Sequence, residues 1–281
     1  MSIMKKLREY LNSPLSFVMF LLIIISTVIT ALTVVFIIGY IFIKGVPNLS
    51  LDLFSLKYSS SNQSMLPSII NTVYLTALTL LLAVPIGIFS AIYLAEYSRK
   101  NSFFVKIINI ANETLSGIPS IVYGLFGFLA FVISKKWGYS LLAGVITLAI
   151  MVLPLIIRTS QEAMLGVDNT FREASYGLGA GKLRTVFKIV LPSAMPGILS
   201  GIILAIGRIV GETAALIYTA GTVPEAATKL TSSSRTISVH LYCLLNEGLY
   251  TEQAYATAVV LIVFVVIINA LSNALAKKIM K

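Results

Sequence analysis

Apolar stretches free of Asp, Glu, Lys and Arg recur six times along the chain, at residues 14–43, 58–95, 114–134, 137–157, 189–207 and 253–276. About 20 apolar residues suffice for a helix to cross a bilayer, so the pattern predicts six spanning helices. The second run opens on polar Ser and Asn residues. Its helix is therefore placed from Pro67, a favoured first-turn position, with a bend at Pro85. The fifth run continues past Arg208 and Glu212 to about Ala220. The predicted fold class is an all-α integral membrane protein: residues 1–66 supply an N-terminal segment, a first helix and a loop, residues 67–276 a five-helix core, and residues 277–281 a basic tail.

Composition strengthens this reading. The 281 residues are 57% hydrophobic and 11% charged, against about 25% charged in soluble domains. The 21 Lys and Arg against 11 Asp and Glu leave a net charge of +10, which in so apolar a chain points to loop charge and not to nucleic acid. One His and one Cys leave no intrachain disulfide and no zinc set. Lys5, Lys6 and Arg8 precede the first run as in a signal peptide, but that run is too long for an h-region and is read as a retained anchor. Lys and Arg in alternate connections divide into 14 on the face that holds both termini and the second and fourth loops, and six on the other, with Arg208 inside a span. The positive-inside rule makes the first face cytoplasmic.

The fourth loop carries structure of its own. Thr170 and Glu173 have the spacing of a capping box, predicting a helix from Phe171. Gly177, Gly179 and Gly181 shorten it, and a second basic helix runs from Lys182 to Pro192. Within this elbow Glu173, Ala174, Ser175, Gly179, Ile189, Leu191 and Pro192 resemble the EAA loop of ABC importer permeases, Ser175 replacing the second Ala. The resemblance implies a type I importer permease fold and a coupling helix that docks on a cytoplasmic ATPase. Glu173 has two readings, cap of its own helix and contact with a partner cation.

Span five carries the costly residues. On a helix rising ~1.5 Å per residue, Arg208 and Glu212 lie about 18 and 24 Å beyond Pro196, near the bilayer middle. There each charge costs roughly 2.5–3.5 kcal/mol unless paired or facing water. Their i,i+4 spacing allows direct contact. Gly197, Gly201, Ala205, Arg208 and Glu212 share an arc of about 80°, a stripe suited to close helix packing. A structural ion pair and a gate for an anionic solute both fit this stripe.

The run Gly207–Arg208–Ile209–Val210–Gly211–Glu212–Thr213–Ala214–Ala215–Leu216 is similar to a signature of the phosphate ABC transporter permeases, PstA-type subunit. Residues 116–124 (SGIPSIVYG) and 235–258 resemble further elements of that family. The resemblance implies that Arg208, Glu212 and Thr213 belong to the substrate pathway or gate. It implies a homologous second permease (PstC-type), two ATPase subunits (PstB-type) and an extracytoplasmic phosphate-binding protein (PstS-type), in a bacterial or archaeal inner membrane. No G-x-x-x-x-G-K-[ST] run occurs, so no cofactor is expected on this chain, and ATP and Mg would be used by the partner. Permeases for molybdate or sulfate are the nearest alternative; a secondary transporter or channel using Arg208 and Glu212 is a more distant one. Gly117, Pro119, Gly124 and Gly127 fit either a broken helix or close packing. His240 is read as a packing residue, and residues 228–235 as a polar, solvated outer loop.

Overall fold

The computed structural model describes residues 14–98 and 102–279, and these residues are helical or irregular with no strand. Lys5, Lys6, Arg8, Arg99, Lys100 and Lys281, which contribute to the charge asymmetry, lie outside them. α1 is Pro14–Gly45 and α2 is Leu66–Ile92, which continues as a π turn at Tyr93–Tyr97. α3 (Phe103–Ser116) is followed by α4 (Ser120–Gly127), itself extended by a π turn at Phe128–Ser134. α5 is Leu141–Leu165 and α6 Asn169–Gly177; α7 (Lys182–Thr185) passes through a π turn, Val186–Val190, into α8 (Leu191–Gly211). α9 (Ala214–Thr219), α10 (Ile237–Glu247) and α11 (Thr251–Ile279) complete the order.

α5 is the central post. Leu148, Met151, Val152 and Ile156 on it are buried with Leu75 and Ala83 of α2, Ala205 and Ile209 of α8, and Leu216 of α9. Lipid is as apolar as leucine, so close approach and dispersion contacts, more than escape from water, hold such a post in place. Small residues supply the approach. A Cβ at Gly87 would stand 2.6 Å from Ile156, one at Gly197 2.6 Å from Ala163, and one at Gly201 2.7 Å from Thr159 Cβ. α1 stands apart, exposed along its length, and meets the rest through its C-terminal end, where Tyr40 packs edge-on against Tyr255 of α11 at 6.0 Å. Thr27, Thr30 and Thr33 each donate to the carbonyl four residues earlier at 2.8 Å, which satisfies hydroxyls in an apolar surround.

Among the described residues, five helices are long and apolar enough to span, and a sixth span exists only as a bent pair. The predicted third span, 114–134, is broken: the segments Val105–Ser116 and Ser120–Ser134 meet at 102°. Pro119 has no N–H to continue a helix and forces Ile118 away from helical angles. The predicted fifth span also breaks. α8 ends at Gly211, Glu212 is extended (φ −71°, ψ 130°), and α9 restarts at Ala214. Pro192 does not end the elbow's second arm as predicted. The π turn before it lets Lys182–Gly211 run as one helix of 30 residues.

α5 reaches Leu165, beyond its predicted end, and on this extension the exposed Arg158 and Glu162 pair one turn apart at 2.9 Å. In the connection between α9 and α11, residues 228–231 are exposed as predicted, but α10 lies within it and Ser234, Arg235 and Thr236 are buried. Asn71 of α2 ties this loop down, donating to Glu225 O (2.9 Å) and Arg235 O (3.1 Å) and accepting from Ala227 N (2.8 Å).

Candidate functional site

Two places concentrate polar groups that the fold had to arrange: the break after α8 and the elbow at the opposite end of the bundle.

At the break, Arg208 and Glu212 do not pair. The i,i+4 contact that the spacing allows requires an unbroken helix, and the chain leaves helical geometry between them. The same turn takes Glu212 off the stripe of Gly197, Gly201 and Ala205. The buried Glu212 carboxylate accepts the Ala215 N–H at 3.0 Å, so it caps α9. Ser238 of α10 donates from its hydroxyl to Glu212 O (2.8 Å) and Val210 O (3.2 Å), serving carbonyls freed by the break. Thr213 follows it, half-buried, at φ −124° and ψ −55°.

Arg208, in the last turn of α8, is half-buried and makes no ion pair among the described residues. The Tyr123 phenol of α4 donates to Leu115 O across the first break at 2.8 Å. Beside Arg208, Leu204 and Gly211 are exposed, and a Cβ at Gly207 or Gly211 would meet nothing within 4 Å. The arginine therefore lies between the face of α8 that packs on α5 and an open face. Gly124 and Gly127 are close-packing positions: a Cβ at Gly124 would stand 2.8 Å from Ala215 Cα, and one at Gly127 2.7 Å from Thr219. The short helices that follow the two breaks are packed on each other.

At the elbow the cap is Asp168, two residues before Thr170. Its carboxylate accepts from Thr170 N (2.9 Å) and Oγ1 (3.0 Å), and those bonds hold its pKa below the usual range. Glu173 is thereby released from the capping role. It and Ala174 are exposed, and Glu173 has no hydrogen bond or ion pair among the described residues. Ser175, the departure from the EAA pattern, is buried and shares a 2.8 Å hydrogen bond with Thr185, fastening the two arms together. Gly179 turns the chain at φ +79°, where a glycine is favoured, and leaves Leu178 90% exposed. Ile189 is half-buried, Leu191 packs against a cluster of Ala91, Met164, Val190 and Ile198, and Pro192 is exposed in the first turn of α8.

Sequence reasoning missed Arg172. It donates to Glu96 Oε1 from Nε (3.1 Å) and Nη2 (2.7 Å), and to three further oxygens on the end of α5 and the start of α6. Only the unpaired acid at the end of span two hinted at a partner, and 76 residues separate the two.

Residues 83–281 match the family of the binding-protein-dependent transport system inner membrane component. The chain belongs to this family. It is an ABC importer permease. It is 35% identical over 230 residues to the phosphate transport system permease protein PstA of Pasteurella multocida, covering 80% of this chain and 81% of that one. It is 32% identical over 249 residues to the probable ABC transporter permease protein YqgI of Bacillus subtilis, covering 82% and 84%. Among solved structures, a bacterial ABC transporter involved in import of the acidic polysaccharide alginate superposes with a TM-score of 0.67 at 18% identity, over 99% of this chain and 100% of that one. The MetNI methionine ABC transporter, in an inward-facing conformation, gives 0.58 at 17%, over 76% and 94%. These two likenesses establish the type I importer permease fold.

Proposed function

We propose that this permease carries inorganic phosphate into the cell. The observation that carries the reading is Arg208, an unpaired guanidinium at the end of a broken helix beside an open helix face. A planar fork of donors matches phosphate oxygens, and a half-buried site strengthens charge-assisted hydrogen bonds. Glu212 serves by holding the break, and Thr213 by letting α8 and α9 change their mutual angle. The PstA names among the relatives support the substrate.

The elbow end faces the cytoplasm in this reading, and both termini lie there. The exposed EAA-like surface of Glu173, Ala174 and Gly179 docks on one of two PstB-type ATPases. A PstC-type permease covers the open face of α8, and a PstS-type protein delivers phosphate from outside.

Phosphate uptake in cells lacking the gene tests this. Wild type restores uptake, Arg208→Ala abolishes it at an unchanged membrane level, and Gly179→Asp abolishes it by blocking the docking surface. Unchanged uptake with Arg208→Ala removes Arg208 from the pathway. Restoration of sulfate or molybdate uptake instead of phosphate overturns the substrate.

A further inference from the structure

Both arms of the elbow grip one turn of α2. From the first arm, Arg172 holds Glu96 in a buried ion pair whose side chains are 13% and 6% exposed. Its remaining donors reach Met164 O (2.8 Å), Val167 O (2.7 Å) and Asn169 Oδ1 (3.2 Å). From the second arm, Lys182 Nζ lies 4.9 Å from the centroid of the adjacent Tyr97 ring. Glu96 and Tyr97 both belong to the π turn Tyr93–Tyr97. Beneath it, Ala91 and Ile92 of α2 are buried with Met164, Val186, Val190 and Ala194.

A buried ion pair is a poor source of stability, because desolvation offsets most of its attraction, but it fixes geometry. A guanidinium bound on three sides resists rotation as well as separation. A π turn is a local departure from the α-helical ladder, placed where the elbow pulls. α2 is also bolted at its other end: Asn71 holds the loop at residues 225–235, and Thr72 Oγ1 accepts from Ile237 N at 3.0 Å, one residue before Ser238.

We propose that the π turn Tyr93–Tyr97 receives the motion of the elbow. Arg172 and Glu96 are the positioning residues that make α6, the end of α5 and the end of α2 move as one body. Lys182 on Tyr97 is the second, weaker grip. The inference rests on the elbow facing an ATPase and is independent of which oxyanion is carried.

The test uses the complete complex in proteoliposomes and reads imported anion per ATP hydrolysed, with whichever of phosphate, sulfate or molybdate the wild type imports. A coupling free energy of this kind is worth about fivefold or more. Glu96→Ala is expected to lower the ratio by at least that much at an unchanged level of assembled complex, and Glu96→Gln and Lys182→Ala by about twofold each. A purely structural role lowers import and hydrolysis together, and an unchanged ratio overturns the proposal. Amide exchange at residues 93–98, compared between nucleotide-free and vanadate-trapped wild-type complex, decides the matter without transport or variants. Exchange that changes at both the elbow and the turn supports the proposal. A changed elbow with an unchanged turn overturns it, whereas an elbow unchanged in both states overturns the ATPase-facing reading beneath it. Wild type importing sulfate or molybdate in place of phosphate overturns the substrate alone.

Discussion

The two broken spans are interrupted by different means. Between α3 and α4 the break is local: Pro119 cannot donate, Ile118 is driven out of helical angles, and Gly117 N donates to Thr114 O to close the end of α3. Between α8 and α9 no proline is present. That break stands because Glu212 caps α9 and Ser238, 26 residues away, serves the freed carbonyls. A break written into the backbone needs no partner, whereas one written into tertiary hydrogen bonds can be undone by moving the partner. The second is therefore the better place for a gate, and Arg208 lies beside it.

The largest effect is expected where the two breaks meet. Gly124→Val puts a branched side chain against the backbone of Ala215 and should cost about 3 kcal/mol or more, seen as loss of the protein from the membrane fraction. Glu212→Ala strands the buried Ala215 N–H, at about 1–3 kcal/mol, read as a lower melting temperature in detergent together with lost uptake.

Acid should loosen the second break alone. His240, two residues from Ser238 on α10, is fully buried against Tyr58. Burial, and then the Arg235 charge, hold its pKa down at about 3. The unfolded chain binds a proton near pH 6.5 that the folded chain refuses, so stability is complete above pH 6.5 and falls as pH drops toward 3. At pH 5 the loss is about 2 kcal/mol, measurable as a pH-dependent melting temperature that His240→Phe flattens. Ser238→Ala should cost about 1 kcal/mol and raise amide exchange at residues 212–216. The smallest effect is that of Pro119→Ala, within about 0.5 kcal/mol, since the Gly117 N–H on Thr114 O still closes α3 locally. A shift above about 2 kcal/mol in its unfolding free energy would show that Pro119 alone holds the first break.

Much of the fold was legible in sequence because the bilayer imposes a local rule. Runs of apolar residues placed α1, α2, α5, α8 and α11 to within several residues, and the Pro119 neighbourhood carried a signal for a broken helix. The small residues Gly197, Gly201 and Ala205 were readable by periodicity, and α5 is what they pack on. The capping assignment at Thr170 failed because the helix starts earlier, at Asn169, with Asp168 accepting from the N–H and hydroxyl of Thr170 itself, and spacing alone does not rank competing caps.

By itself, the amino-acid order determined where the long apolar segments lie, which of their faces are small, where the elbow lies, and that Arg208 and Glu212 are too costly to face lipid. Each follows from composition and from neighbours three or four residues apart. Only the tertiary structure decided that Glu212 caps α9 instead of meeting Arg208, that Ser238 stabilises the break, and that Arg172 reaches across 76 residues to Glu96. The physical reason is that a buried charge must find a partner, but which partner is within 3 Å depends on how the helices pack, and a periodic pattern carries no such information.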